Sequence, residues 1–100
     1  VGTVQLIIDQ PENQPHRADV AKLLVHPSAR RGGLARELMN ELESCARQQG
    51  KTLLVLDTAT GSGAELFYHN CGWKKVGVIP DYAQMPDGTL TGTTLFYKTL

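Results

Sequence analysis

Charge of one sign is the first thing this sequence lacks. Ten lysines and arginines face ten aspartates and glutamates, so the formal net charge is zero. A nucleic-acid-binding domain of this size carries a basic excess gathered on one face, so the balance argues against nucleic acid as a partner. Long apolar runs are missing too. None approaches the roughly 20 residues a helix needs to cross a bilayer, and the first residues lack the basic-then-apolar order of a secretory leader. Cysteine is scarce: Cys45 and Cys71 stand alone, in no CxxC or Cys/His spacing. A disulfide framework and a zinc site are therefore not indicated. Both thiols suit half-buried packing positions, and a reducing cytoplasm suits them. Neither a Walker G-x-x-x-x-G-K-[ST] nor a G-x-G-x-x-G occurs, which removes the usual phosphate loops of nucleoside triphosphates and nicotinamide cofactors. Repeats, low-complexity tracts and linkers are absent. One hundred residues, 41% of them apolar, are expected to form one domain, 1–100, with a single modest core.

What is present alternates between two periodicities. Val4-Gln5-Leu6-Ile7-Ile8 reads as a strand that ends in a loop over 9–15 holding Pro11 and Pro15. A second strand spans about 18–26. Its centre, Leu23-Leu24-Val25, is continuously apolar, as in strands covered on both faces. These two are expected to pair antiparallel. Pro27-Ser28-Ala29 breaks the strand, and 30–33 make a short basic, glycine-containing turn. Leu34, Leu38, Leu42 and Cys45 then recur at helical spacing, with Ala35, Met39 and Ala46 beside them. Arg36, Glu37, Asn40, Glu43 and Arg47 fall on the opposite side and are expected in solvent. Gly50 stands where a left-handed cap ends a helix, so the helix is placed at about 33–49.

Leu53-Leu54-Val55-Leu56 is a short apolar strand, which completes a βαβ unit with parallel strands and a right-handed crossover. A loop over 58–63, a short helix Ala64–Asn70 and a strand over 74–79 follow. A long loop over 80–91 and a closing strand over 93–98 finish the chain. The order β-β-α-β-α-β-β gives an α/β domain with a mixed sheet around the central βαβ unit.

The chemistry concentrates in Arg30-Arg31-Gly32-Gly33-Leu34-Ala35, between an apolar strand and the first turn of an amphipathic helix. The first amides of a helix have no internal partner, and the helix dipole places fractional positive charge at that end. Gly32 and Gly33 let an anion approach the backbone, and Arg30, Arg31 and Arg36 add full charges around it. Taken alone, this turn is equally a tight strand-to-helix connection with no ligand.

A second motif tips the balance. Arg30-x-x-Gly33-x-Ala35 resembles the [QR]-x-x-G-x-[GA] signature of the GNAT N-acetyltransferases. Downstream, Ala64-x-x-Phe67-Tyr68-x-x-x-Gly72-Trp73 resembles that family's A-x-x-[LF]-Y-x-x-x-G-F segment. The two occur in order with a strand between them, and the resemblance covers about 19–100. Val76-Gly77-Val78-Ile79-Pro80-x-Tyr82, Pro86-Asp87-Gly88 and the final Lys98-Thr99-Leu100 look most like acetyltransferases of the tabtoxin-resistance type.

The resemblance implies the cofactor-binding, C-terminal half of a GNAT fold that uses acetyl-coenzyme A and a small-molecule amine. It assigns the coenzyme's pyrophosphate to Arg30, Arg31, Gly32, Gly33, Leu34, Ala35 and Arg36. The pantetheine arm falls to the backbone of Leu23, Leu24 and Val25, and Tyr68 becomes the acid that protonates the departing thiolate. It implies direct attack by the amine, without an acyl-enzyme. Asp19, Asp57 and Asp81 are candidates for the base, and water is a further one. The family fold begins with a strand and two helices that have no counterpart here. The strand at 4–8 is therefore expected to be an open sheet edge, paired in a homodimer or with an N-terminal fragment. Two alternatives follow: a coenzyme A-binding fragment that does not turn over, and an interaction module built around that edge.

Overall fold

The computed structural model describes residues 2–25 and 33–100. Seven elements follow in the expected order: β1 (Gly2–Ile7), β2 (Arg17–Val25), α1 (Leu34–Gln48), β3 (Leu53–Ala59), α2 (Ala64–Asn70), β4 (Lys74–Gln84) and β5 (Leu90–Thr99). The strands make one mixed five-stranded sheet in the order β1-β2-β3-β5-β4. Two compact units divide the chain, Val1–Leu54 with Thr99–Leu100, and Val55–Lys98.

In the first unit β1 and β2 pair antiparallel, from Gly2 opposite Val25 to Ile7 opposite Asp19, with an irregularity between Thr3 and Gln5. Side chains alternate along β1, half-buried at Val4 and Leu6 and exposed at Thr3, Gln5 and Ile7. That is the pattern of a strand with one face on a core. The loop after β1 is tied by Arg17, whose guanidinium reaches Gln10, Gln14 and Asp19. Lys51 donates to the carbonyls of Ile8 and Pro15.

α1 sits one step round its axis from where the apolar stripe puts it. The buried residues are Met39, Leu42, Glu43 and Ala46, and Ala18, Val20 and Leu54 are buried in the same unit. Glu43, expected in solvent, is 5% exposed. Its carboxylate is an i, i+4 partner of Arg47 at 3.9 Å, the pairing that makes a buried charge tolerable. The rotation leaves Leu34 and Leu38 half-buried and Cys45 exposed. Together Leu38, Leu42 and Cys45 of α1 and Thr3, Val4 and Leu6 of β1, with Glu41, line an open groove of about 390 Å³.

The second unit is built on the β4–β5 hairpin. The loop expected over 80–91 is mostly strand: β4 continues through Pro80 to Gln84, and β5 begins at Leu90. Only five residues turn the chain. There Met85 donates to the Thr89 carbonyl at 2.7 Å, and the Asp87 carboxylate accepts from the Thr89 amide and hydroxyl. Pro80 and Asp81 hid this extension. The register slips between Ile79 and Ala83, where Asp81 has φ 53, and such a bulge admits proline in an edge strand. Leu56, Tyr68, Trp73, Thr94 and Phe96 are buried in this unit.

Candidate functional site

Each sequence motif lands at the start of a helix or on its inward face. Gly33 is the N-cap of α1, with φ 77 and ψ 6, and no side chain caps it. That left-handed conformation suits glycine and strains other residues. Gly33 is exposed, and a Cβ built on it would meet nothing within 4 Å. Its carbonyl accepts from Glu37 N at 3.1 Å, the first bond of the helix. Among the described residues no side chain accepts from the amides of Leu34 or Ala35. The start of α1 therefore has the chemistry of an anion cradle: backbone donors, the positive end of a dipole, and no described side chain in the way.

Leu34 and Ala35 are half-buried and Arg36 is exposed in this first turn. Arg30, Arg31 and Gly32 lie outside the described residues. Leu23 is half-buried in β2, while the side chains of Leu24 and Val25 are likewise outside what is described. The backbone of these two is placed: Leu24 is opposite Thr3 and Val25 opposite Gly2 of β1.

Tyr68, in the second unit, is 8% exposed. Its ring meets Phe67 and Trp73 edge-on, at centroid distances of 5.4 and 6.2 Å, and Phe96 at 5.7 Å. Burial, and next the nearby Cys71 thiol, push its phenol above the usual tyrosine range. A group so placed is neutral at pH 7, a hydrogen-bond and proton donor rather than an anion. The aromatic cluster also satisfies the packing role that any such tyrosine can have.

The start of α2 contrasts with that of α1. Gly63 caps it in the left-handed region, φ 87, but polar groups close round the turn. Gly61 N donates to Glu65 Oε2 at 2.9 Å, Ala64 N donates to Ser62 Oγ at 3.4 Å, and Ser62 Oγ is 3.3 Å from Thr58 Oγ1. As at α1, no side chain makes the N-cap hydrogen bond, but Ser62 and Glu65 tie down the turn that leads into α2.

Beside this turn is a polar pair that sequence reasoning did not find. Thr93 Oγ1 donates to Asp57 Oδ2 at 2.7 Å. Asp57 was one candidate base among three; nothing in the sequence marks Thr93, 36 positions away, as its partner. Only the alignment of β3 with β5 brings them together. No helix of the described residues is long and apolar enough to cross a membrane.

The order of helices and strands has its counterpart among known proteins. Residues 1–75 match the family described as the acetyltransferase (GNAT) domain. The chain belongs to that family. It is 35% identical over 79 residues to human N-acetyltransferase 8, an alignment covering 77% of this chain and 35% of that protein. Ribosomal-protein-alanine N-acetyltransferase from Brucella melitensis superposes with a TM-score of 0.86 at 25% identity, over 100% of this chain and 62% of that one. A Salmonella typhimurium acetyltransferase, yncA, solved with its cofactor acetyl-CoA, gives 0.87 at 21% identity, over 99% and 57%. The chain thus spans about a third of the human relative's length and less than two thirds of the two solved chains.

Proposed function

We propose that this chain binds acetyl-coenzyme A and acts as the cofactor-binding half of an N-acetyltransferase that takes a small-molecule amine. The observation that carries the reading is the start of α1: an exposed left-handed glycine with no side-chain cap, on which a Cβ would meet nothing within 4 Å. In the proposal the amides of Gly33, Leu34 and Ala35 hold pyrophosphate oxygens, and Gly32 keeps the approach clear. Arg30, Arg31 and Arg36 neutralise the charge. The backbone of Leu23, Leu24 and Val25 hydrogen-bonds the pantetheine arm, and an amide there steadies the developing oxyanion. Tyr68 gives its proton to sulfur as the carbon–sulfur bond breaks and the amine nitrogen bonds to the acetyl carbon, and the proton that the nitrogen loses passes to water. Residues 1–100 work as one domain in this reading, in the cytoplasm. Among relatives, the tail motifs favour the tabtoxin-resistance type.

The same proposal includes a homodimer through β1. That strand has a single neighbour in the sheet order and carries no charged residue. An antiparallel copy centred on Gln5 sets Val4 against Leu6 with no like charges opposed, and two-fold closure is the commonest solution. Sedimentation equilibrium reads the outcome. A monomer at high concentration removes the dimer, and association only with a different polypeptide replaces the second copy by that partner.

Calorimetric titration with acetyl-coenzyme A tests the cofactor assignment, with pantetheine, which lacks the pyrophosphate, as the comparison. Acetyl-coenzyme A is expected to bind and pantetheine to bind far more weakly. No binding at millimolar ligand by a folded sample defeats the assignment and favours the interaction module. Binding without turnover of any amine leaves the incomplete fragment.

A further inference from the structure

The segment that carries Tyr68 is too short to hold itself in place. α2 has seven residues, well below the about 12–15 at which a helix begins to stand alone in water. A proton donor nevertheless has to be placed closely, since a misplacement of about 1 Å can cost about 10²-fold in rate. What fixes Tyr68 must therefore lie largely outside the helix, and β5 supplies it.

Successive residues of a strand face opposite sides, so Thr94, Phe96 and Lys98 share one face of β5. Along that face they meet the chain from Thr60 to Cys71 in order. Thr94 Oγ1 is 3.0 Å from Thr60 Oγ1, ahead of the helix. The Phe96 ring meets the Tyr68 ring at 5.7 Å. Lys98 is half-buried, and its Nζ donates to the carbonyl of Cys71 at 2.7 Å, just past the helix.

The end of α2 is built around Tyr68 itself. Cys71 caps the helix, and Gly72 follows with φ 89. The Gly72 amide returns to the His69 carbonyl and the Trp73 amide to the Tyr68 carbonyl, both at 3.0 Å. These are the two bonds of a left-handed glycine cap, and the contact of the Trp73 ring with the Tyr68 ring completes it. Tyr68 is thus tied through its backbone as well as its ring. The last carbonyls of a helix need donors from elsewhere. At Cys71 the donor is the Lys98 ammonium, a cation at the negative end of the helix. A Cβ on Gly72 would lie 3.4 Å from Lys98 Nζ, so the residue that turns the cap also leaves room for the ammonium.

We infer that Lys98 is a positioning residue for acetyl transfer: by tying the cap of α2 to β5 it sets where the Tyr68 hydroxyl stands, an assignment that rests on the acetyltransfer reading above. Lys98 is assigned no contact with coenzyme or acceptor. Its effect on the rate passes through Tyr68.

The test compares wild type, Lys98→Met, Tyr68→Phe, the double variant, and Lys74→Met as a control for lost charge. Lys98→Met keeps an unbranched stem of similar length, so packing along it is retained. Lys98→Gln, whose amide stops one bond short, is the second variant and is expected to show the same losses. Amide exchange at Gly72 and Trp73 reads the cap. Thiol release from acetyl-coenzyme A, with spermidine, glucosamine and glycinamide as probe amines, reads turnover. In Lys98→Met the two amides are expected to exchange about tenfold faster, the worth of one hydrogen bond from a charged donor, and kcat to fall by about tenfold or more. In the Tyr68→Phe background the same change is expected to cost less than about twofold, the accuracy of such a cycle. Affinity for acetyl-coenzyme A, and every property of Lys74→Met, stay at wild type. Unaltered exchange or unaltered kcat in Lys98→Met overturns the inference. So does an equal loss in both backgrounds, which makes Lys98 a general stabiliser of the hairpin, and so does an equal loss in Lys74→Met. Wild type that binds acetyl-coenzyme A but turns over none of the three amines, or Tyr68→Phe with wild-type kcat, defeats the acetyltransfer reading and the inference with it.

Discussion

Two helices in this chain begin in the same way and end up with different chemistry. α1 and α2 each start from a glycine in the left-handed region, Gly33 at φ 77 and Gly63 at φ 87. Around Gly63 the chain supplies its own polar groups, from Thr58, Ser62 and Glu65. Around Gly33 no described side chain does so, and a Cβ built on it would meet nothing within 4 Å. A glycine start therefore says little by itself; what occupies the first-turn amides decides between a ligand site and a folding device. Length sharpens the contrast. α1 has 15 residues and α2 has seven, so α1 has the longer run of aligned peptide dipoles behind its free end. α2 contributes through a side chain, Tyr68, carried on its inward face.

If α2 serves by presenting Tyr68, then Tyr68→Phe breaks function while leaving both helix starts as they are. The ring stays, with its contacts to Phe67, Trp73 and Phe96, and only the proton is lost. Turnover is expected to fall by about 10²–10⁴-fold, with acetyl-coenzyme A affinity little changed, since the phenol is not assigned to the phosphates. The raised pKa of Tyr68 keeps the donor protonated through neutral pH, so the deficit persists across that range. Unaltered turnover, with the chemical step shown to limit the rate, returns Tyr68 to a packing role.

Gly33→Asp attacks the open helix start directly. Aspartate tolerates the left-handed region better than most residues, and its Cβ would enter empty space, so the fold is expected to survive. The new carboxylate faces the anion. Like charges brought together cost several kcal/mol, so affinity for acetyl-coenzyme A is expected to drop by about 10²-fold or more, while the strain of a side chain at positive φ, about 1 kcal/mol, lowers Tm by several degrees. Wild-type affinity in this variant means that the pyrophosphate binds elsewhere, and the comparison of the two helices collapses.

Much of this was legible beforehand, for identifiable reasons. The element order and the start of α1 rest on local signals: helical spacing from Leu34 onward, a glycine at each end, a proline break at Pro27. The errors came where tertiary context overrode such signals. The apolar stripe Leu34, Leu38, Leu42 and Cys45 is real, yet α1 buries Met39, Leu42, Glu43 and Ala46. Spacing defines an arc and leaves its rotation to packing. Pro80 and Asp81 read as loop, but a bulge absorbs them within an 11-residue strand. In the proposed site, Gly33 and Tyr68 come from the two motifs through resemblance. The Asp57–Thr93 pair had no sequence signal, since a hydrogen bond between strands depends on register alone.

The smallest expected effect is the one that isolates the closed helix start. Ser62→Ala removes the acceptor for the Ala64 amide, and Glu65→Ala removes the acceptor for the Gly61 amide along with a long ion pair to Lys75 at 3.9 Å. The ion pair joins groups that are largely solvated and contributes little. The two backbone-to-side-chain hydrogen bonds matter more: one such bond contributes about 0.5–1.5 kcal/mol. In a domain of this size each kcal/mol lowers Tm by roughly 4–8 °C. Each variant is therefore expected to melt several degrees below wild type, about 2–12 °C at the limits of those two ranges. Acetyl-coenzyme A affinity should not change, because neither residue is assigned to the ligand. Thermal melting with and without the ligand reads both quantities at once. A ligand-induced rise in Tm equal to that of wild type, on a lowered baseline, marks the α2 start as a folding device. A lost ligand response with an unchanged baseline would make Ser62 or Glu65 a binding residue, and the two helix starts would then share the anion.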